Sequence, residues 1–101
     1  MKAEIAARLK TSDIQIMTEG MYFSVFFREG CVAMVPMNDE GTGYAGIGSS
    51  GLSTDEGLAY LVYRDEMPML VGHSVDMPAL PEQVEKILRF SADLKAALGL
   101  D

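Results

Sequence analysis

Three extended runs of this chain are apolar on both of their faces, and this feature constrains its fold more than any other. Residues 21–27 read Met-Tyr-Phe-Ser-Val-Phe-Phe, residues 31–37 read Cys-Val-Ala-Met-Val-Pro-Met, and residues 58–63 read Leu-Ala-Tyr-Leu-Val-Tyr. Successive side chains of a strand point to opposite faces of its sheet. Because an antiparallel sheet with one wet face alternates apolar and polar residues, these runs predict a sheet that needs cover on both faces.

The clearest single element is an amphipathic helix predicted over residues 81–98. Pro81 suits the first position of a helix, and Gly99 is typical of the residue that ends one. Apolar residues recur within this segment at helical spacing, which predicts one stripe that faces the sheet. The predicted stripe consists of Val84, Ile87, Leu88, Ser91, Leu94 and Leu98, and Phe90 and Ala97 widen it on one flank.

The remaining elements complete an α+β prediction for a single domain over residues 1–101. Residues 1–10 have apolar side chains at helical spacing, which predicts a short N-terminal helix. The order helix, three strands, glycine-rich segment, two strands, helix predicts a largely antiparallel sheet of about five strands, with both helices packed on one face. Strands are predicted at 13–17, 21–27, 31–37, 58–63 and 68–74, with a turn around 64–67 and a connector at 75–80.

Residues 38–57 differ from the rest of the chain because they hold six of its ten glycines. We interpret them as a long loop, or as a loop around a short irregular strand at 44–48. Ser53 and Glu56 have the spacing of a helix capping box, but Gly57 and the apolar run after it favour a strand there. Loops this long are uncommon in compact domains and are often functional.

The second apolar face of the sheet needs an explanation of its own. The C-terminal helix covers one face, and the candidates for the other are the second helix, the glycine-rich segment, a second subunit or a ligand. An uncovered apolar sheet face would exceed the patch size that soluble monomers usually tolerate. We therefore predict a homodimer that packs through this face.

The charge distribution argues against nucleic acid as a partner. Eight Lys and Arg stand against fifteen Asp and Glu, which gives a formal net charge of -7. No Lys or Arg lies between Arg28 and Arg64, whereas acidic residues do. Because phosphate groups would be repelled by such a chain, we expect a peptide, a protein or a cationic hydrophobic compound instead.

Apolar runs, the N-terminal residues and the single cysteine indicate the cellular location and the metal-binding capacity of the chain. No apolar run reaches the ~20 residues that a membrane helix needs, and the first ten residues do not have the pattern of a secretory signal. Cys31, the single cysteine, cannot form an internal disulfide, which fits a reducing compartment. We expect a cytoplasmic protein with no membrane partner, no cofactor and no metal.

The motifs with catalytic residue types are weak. Gly41-Thr-Gly43-Tyr-Ala-Gly46 matches the pattern G-x-G-x-x-G, but a dinucleotide site needs a helix directly afterwards, and residues 47–51 do not favour one. No G-x-S-x-G motif surrounds the serines of this segment. We therefore predict no catalytic residue, although the residue types of a nucleophilic triad occur at Ser49, Ser50, His73 and Asp76.

Two functions remain open from the sequence. The first is a small, acidic, non-enzymatic binding or adaptor protein that is homodimeric. The alternative is a small-molecule-binding protein or a small enzyme with a pocket under the 38–57 segment. A methionine surface rimmed by acidic residues would suit a basic amphipathic segment, and such a surface is predicted beside Asp65 and Glu66. The predicted ligand- or partner-binding residues are Tyr44, Ser49, Ser50, Met67, Met69 and His73.

Overall fold

A computed structural model describes Leu9 and residues 13–19, 22–40 and 43–100 of the chain. It contains one antiparallel sheet, whose strands lie side by side in the order of the sequence, and one C-terminal helix. The predicted α+β class is confirmed, but the strand number is wrong, because the sheet has seven strands rather than five. The elements are β1 (Gln15–Glu19), β2 (Phe23–Arg28), β3 (Cys31–Pro36), β4 (Ser50–Thr54), β5 (Gly57–Arg64), β6 (Met67–Val71), β7 (Asp76–Pro78) and α1 (Pro81–Leu98).

Two tight hairpins join strands that the sequence predicts, β2 with β3 and, at the predicted turn around 64–67, β5 with β6. Glu29 and Gly30 connect β2 to β3, both with positive φ (50° and 84°), as a tight two-residue hairpin turn requires. Asp65 and Glu66 connect β5 to β6 with φ values of 51° and 66°. This second turn adopts the left-handed conformation without a glycine, which is uncommon for these residue types.

The two strands that the sequence analysis misses are β4 and β7. β4 lies inside the glycine-rich segment, where Gly and Ser have low strand propensity. It forms because it pairs with both β3 and β5. β7 has only three residues, ends at Pro78, and was predicted as part of a connector; it pairs with β6 alone. Tertiary pairing overrides weak local preference in both places.

The predicted N-terminal helix lies outside the described residues except for Leu9. The backbone at Leu9 is helical and its side chain is buried. The carbonyl of Leu9 accepts a hydrogen bond from the backbone N–H of Ile14 at 3.0 Å. Both side chains belong to the core cluster that also contains the buried residues of the C-terminal helix. Leu9 and Ile14 therefore pack into the main core.

Helix α1 spans the predicted residues, and its two ends are stabilised as the sequence suggests. Pro81 occupies the first turn, and the Gln83 side chain accepts a hydrogen bond from the backbone N–H of Leu80 at 2.8 Å. Gly99 adopts φ 70° and donates to the carbonyl of Ala96, which closes the last turn. The predicted stripe is wrong at Leu88, which is exposed; the buried set is Ile87, Phe90, Leu94, Ala97 and Leu98.

One face of the sheet, called the covered face below, packs against α1. Residues that oppose each other across the strand pairs share a face, and the registers place small side chains on this face at Ser24, Ala33 and Ala59. All three are fully buried. Small side chains let the covering elements approach a sheet closely: α1 packs against β3 and β4, and Tyr44 lies over Ser24. The larger buried members of the covered face are Phe26, Cys31, Val35, Leu52 and Leu70.

The glycine-rich segment packs on the covered face as well. The Tyr44 ring meets the Phe26 ring edge-on, with centroids 5.7 Å apart, and both Tyr44 and Ile47 pack against the core cluster. The predicted short strand at 44–48 is replaced by a single bridge between Met37 and Tyr44, and the regular strand begins at Ser50. This segment is therefore not the cover of the second face.

Candidate interaction surface

The second face of the sheet, called the open face below, is formed by the alternate residues of the same strands. Phe27 opposes Val32, Val25 opposes Met34, and the row continues on β5 and β6. On β2, β3 and β5, these residues alternate with Ser24, Ala33 and Ala59 and therefore point away from the covered face. The large apolar residues of the open face are Phe23, Val25, Phe27, Val32, Met34, Leu58, Tyr60, Val62, Met67, Met69 and Val71. The same face also contains Gly51 and Ser53 of β4 and Gln15 of β1.

No described element packs on the open face. The core cluster contains buried residues of the covered face, α1 and the flanking segments, but none of the open-face residues. Val32 and Met69 are buried within the open face, whereas Val62 and Phe23 retain 40% and 38% exposure. Within the described part of the chain, α1, Leu9 and the 43–49 segment all pack on the opposite side, so the open face has no cover from them.

The open face is electrically neutral in its described strands. Its charged side chains there are Arg64 at the end of β5 and Asp76 at the start of β7. These two pair with each other, with Nη1 of Arg64 3.3 Å from Oδ1 of Asp76. Both are more than half exposed, so the pair contributes little to stability. The apolar centre from β2 to β5 therefore carries no charge, although the chain as a whole carries -7.

Tyr44 makes contacts within the fold, to Ser24 and Phe26. Its hydroxyl lies 2.7 Å from Oγ of Ser24, which is the buried polar residue of the covered face. A buried hydroxyl needs such a partner, and Tyr44 supplies one while its ring packs on Phe26. This arrangement anchors the glycine-rich segment to β2.

The predicted serine and histidine site residues do not converge. Ser49 is exposed directly before β4, and Ser50 is the first residue of β4, with its hydroxyl buried and unpartnered. His73 is exposed in the connection between β6 and β7. The register places Gly51 level with Tyr60 and Val71, so His73 lies two strands from β4 and about three residues further along the sheet than Ser50. These offsets put the two residues about 14 Å apart, which is too far for a shared reaction.

Met67 and Met69 lie on the open face, next to the acidic turn at Asp65 and Glu66. Met67 is 54% exposed, and Met69 is buried. Both alternate on β6 with residues of the covered face. The structure thus brings these two predicted partner-binding residues together with the apolar strand residues, but places them apart from Tyr44, Ser50 and His73.

Cys31 lies on the covered face at the start of β3. Its Sγ donates a weak hydrogen bond to the backbone carbonyl of Lys86 at 3.8 Å. Burial raises the pKa of the Cys31 thiol, and the nearby positive charges of Lys86 and Arg28 offset only part of that effect. A raised pKa leaves the thiol protonated and poorly nucleophilic near neutral pH, so the local chemistry of Cys31 is that of a core residue.

The other candidate chemistries find no geometric support in the described residues. Among them, no group of three or more His, Cys, Asp or Glu side chains is arranged to hold a metal ion. The glycine motif that ends at Gly46 leads into β4 rather than a helix, so it lacks the helix N-terminus that binds pyrophosphate. No helix within the described ranges is long and apolar enough to span a membrane.

The sequence indicates two apolar faces, but of the open-face residues only Met67 and Met69 are among the predicted site residues. The signal that separates the faces is side-chain size. Along β2, β3 and β5, the covered face has Ser24, Ala33 and Ala59 at positions that neighbour larger open-face residues. Small residues on these three strands therefore distinguish the face that α1 and Tyr44 cover.

Comparison of the chain with protein-family models, with curated proteins and with solved structures finds no match. Function therefore has to be inferred from the residues of the chain itself.

Proposed function

We propose that this protein is a non-enzymatic binding protein whose open face joins it to another polypeptide. The observation that carries this proposal is the contrast between the two faces of one sheet. The covered face buries its side chains under α1 and the 43–49 segment. The open face is equally apolar and has no cover among the described residues, as an interaction surface would.

The shape and composition of the open face favour a polypeptide over a small molecule. Small molecules bind mainly in concave sites that enclose most of their surface. The open face is an extended sheet surface with Phe23, Phe27 and Tyr60 among its members. Aromatic residues and methionine are enriched in the centres of protein interfaces, and charged residues are depleted there. The acidic chain and its buried, unpaired Cys31 suit a cytoplasmic setting for this interaction.

Site-specific photocrosslinking tests the proposal with a matched pair of neighbouring positions. Benzoylphenylalanine replaces Val62 on the open face in one variant and Tyr63 on the covered-face side of β5 in the other. Both positions are exposed, at 40% and 59%, so both variants are expected to fold. The adducts formed in the producing cells are identified by mass spectrometry, and binding is then reconstituted from purified components.

The expected result is one dominant polypeptide adduct at position 62, none at position 63, and binding of the purified pair. That polypeptide is either this chain or a different one, and both outcomes support a protein-binding face. Absence of any adduct at position 62, or equal adducts at both positions, would overturn the proposal.

A further inference from the structure

We infer that the occupant of the open face is a second copy of this chain, packed sheet against sheet about a two-fold axis. This inference rests on the proposed function, because it names the polypeptide that the open face binds. In such an interface the same patch of both chains is buried, and each residue faces its symmetry mate or a neighbour. Two sheets packed in this way lie about 10 Å apart with interdigitating side chains.

The area of the open face matches what a stable dimer needs. The six strands of five or more residues, β1 to β6, each about 4.8 Å wide and about 17 Å long, give a face of roughly 490 Å² in projection. The accessible area is larger than the projection, because the side chains stand out from the sheet. A specific interface buries at least about 500 Å² on each partner, so the open face is large enough without help from any other surface.

The charge of the open face selects a second copy over a cationic partner. A basic segment would be drawn to acidic groups within the face, but Asp76 of the described strands is already paired with Arg64 there, and the acidic turn at Asp65 and Glu66 lies at the rim. An identical face is likewise neutral and apolar at its centre, so packing two of them brings no like charges together. This matters for a chain of charge -7, since its acidic residues can stay at the rim and in solvent.

The edge strands of the sheet are poorly suited to pairing with a second copy. Self-association is therefore expected through the open face. β1 contains a register shift between Ile16 and Thr18, and such a bulge disrupts a regular hydrogen-bonding edge. β7 has three residues and ends at Pro78, which has no N–H to donate. Short, irregular or proline-containing edges resist pairing with further strands.

Solution mass measured by size exclusion with light scattering tests the inference. The purified chain is compared with Val62→Lys and Phe23→Lys, which place a charge on the open face at two exposed positions of different strands. The matched control is Tyr63→Lys, one residue away on the opposite face of β5. Circular dichroism verifies that each variant is folded, and each sample is run over a tenfold concentration range at tens of micromolar.

The expected mass of the unmodified chain and of Tyr63→Lys is twice 11.0 kDa. A lysine buried in the interface without a partner is strongly unfavourable, so both open-face variants are expected to dissociate at least about tenfold more readily and to elute as monomers. Because the two open-face positions lie on different strands, loss of fold in one of them leaves the other as the test.

Two results would overturn the inference. One is a monomer over the whole concentration range, and the other is a dimer that Tyr63→Lys disrupts while Val62→Lys and Phe23→Lys do not. A monomer combined with a crosslink from position 62 to a different polypeptide would remove the second copy but leave the proposed function standing. A monomer with no crosslink at position 62 would remove both.

Discussion

The two faces of this sheet are built from the same strands, yet on β2, β3 and β5 only the covered face contains small side chains. On the covered face, Ser24, Ala33 and Ala59 are small and fully buried. On the open face, the neighbouring residues include Met34 and Tyr60, which retain partial exposure. Small residues on one face allow the protein's own helix to approach. Large residues on the other face keep apolar area for a partner that arrives separately.

The largest expected difference between the covered face and the open face is in the free energy lost when one side chain on each face is truncated to alanine. Leu70→Ala removes a fully buried side chain of the covered face and is expected to lower the free energy of unfolding by about 3 kcal/mol, because it leaves a cavity. Val62→Ala removes a half-exposed side chain of the open face. At high dilution it is expected to cost less than about 1 kcal/mol. Urea unfolding followed by circular dichroism measures both.

Equal losses for the two variants at high dilution would contradict this account. They would mean that the open face is buried within the single chain to the same extent as the covered face.

The glycines of the sheet offer a second test, which concerns how closely β4 pairs with β5. A Cβ on Gly51 would lie 1.9 Å from the carbonyl oxygen of Ala59 on the paired strand, so Gly51→Ala must separate β4 from β5. We expect a loss of more than about 1 kcal/mol of unfolding free energy. Gly46→Ala is the matched control, because a Cβ there meets nothing within 4 Å. Thermal unfolding compares the two, and a Gly51→Ala variant as stable as the control would contradict the tight β4–β5 pairing.

An ion pair fastens the end of the covered face to α1. Nη2 of Arg28 lies 2.6 Å from Oδ2 of Asp93, and the guanidinium lies 5.6 Å from the centre of the Phe90 ring. Arg28→Ala is expected to cost about 1 kcal/mol. Arg89→Ala breaks a solvent-exposed pair with Glu85 within the helix and is expected to cost less than about 0.5 kcal/mol. Urea midpoints distinguish them; equal effects would show that Arg28 does not fasten the helix.

The smallest predicted effect is a pH dependence from Cys31. Its pKa is raised by burial in the folded chain, so above the pKa of the unfolded thiol the unfolded state loses its proton first. The stability contribution is fully present below about pH 8.5 and decreases as the pH rises towards the folded pKa. Cys31→Ala is expected to lack this alkaline decrease. Parallel decreases for both proteins between neutral and alkaline pH would show that the thiol is not responsible.

Much of the fold follows from local pattern. The helix over residues 81–98 has strong end signals at Pro81 and Gly99, and the structure has it there. The hairpin turn at Glu29 and Gly30 follows from glycine between two β-rich runs. These elements are predictable because their residues favour the same structure locally and globally.

The rest depends on contacts that one sequence does not reveal. β4 is stabilised by pairing on both sides, and its Gly-Ser-rich residues give no local strand signal. Leu88 has the spacing of a buried residue, but the helix rotates it to 52% exposure because Phe90 and Ala97 take the buried positions. The predicted serine and histidine residues do not converge for a related reason: Ser50 and His73 belong to parts of the sheet two strands apart, and their offset depends on the register of β4, β5 and β6.

The central claim is that the chain covers one face of its sheet and leaves the other for a partner chain. Carbene footprinting of side chains at low and high protein concentration tests this most directly. We predict that Phe27, Met34 and Val62 are labelled at low concentration and protected at high concentration, while Phe26 and Leu70 are protected throughout. Protection of the open-face residues at every concentration would show that the chain covers this face itself and would contradict the account.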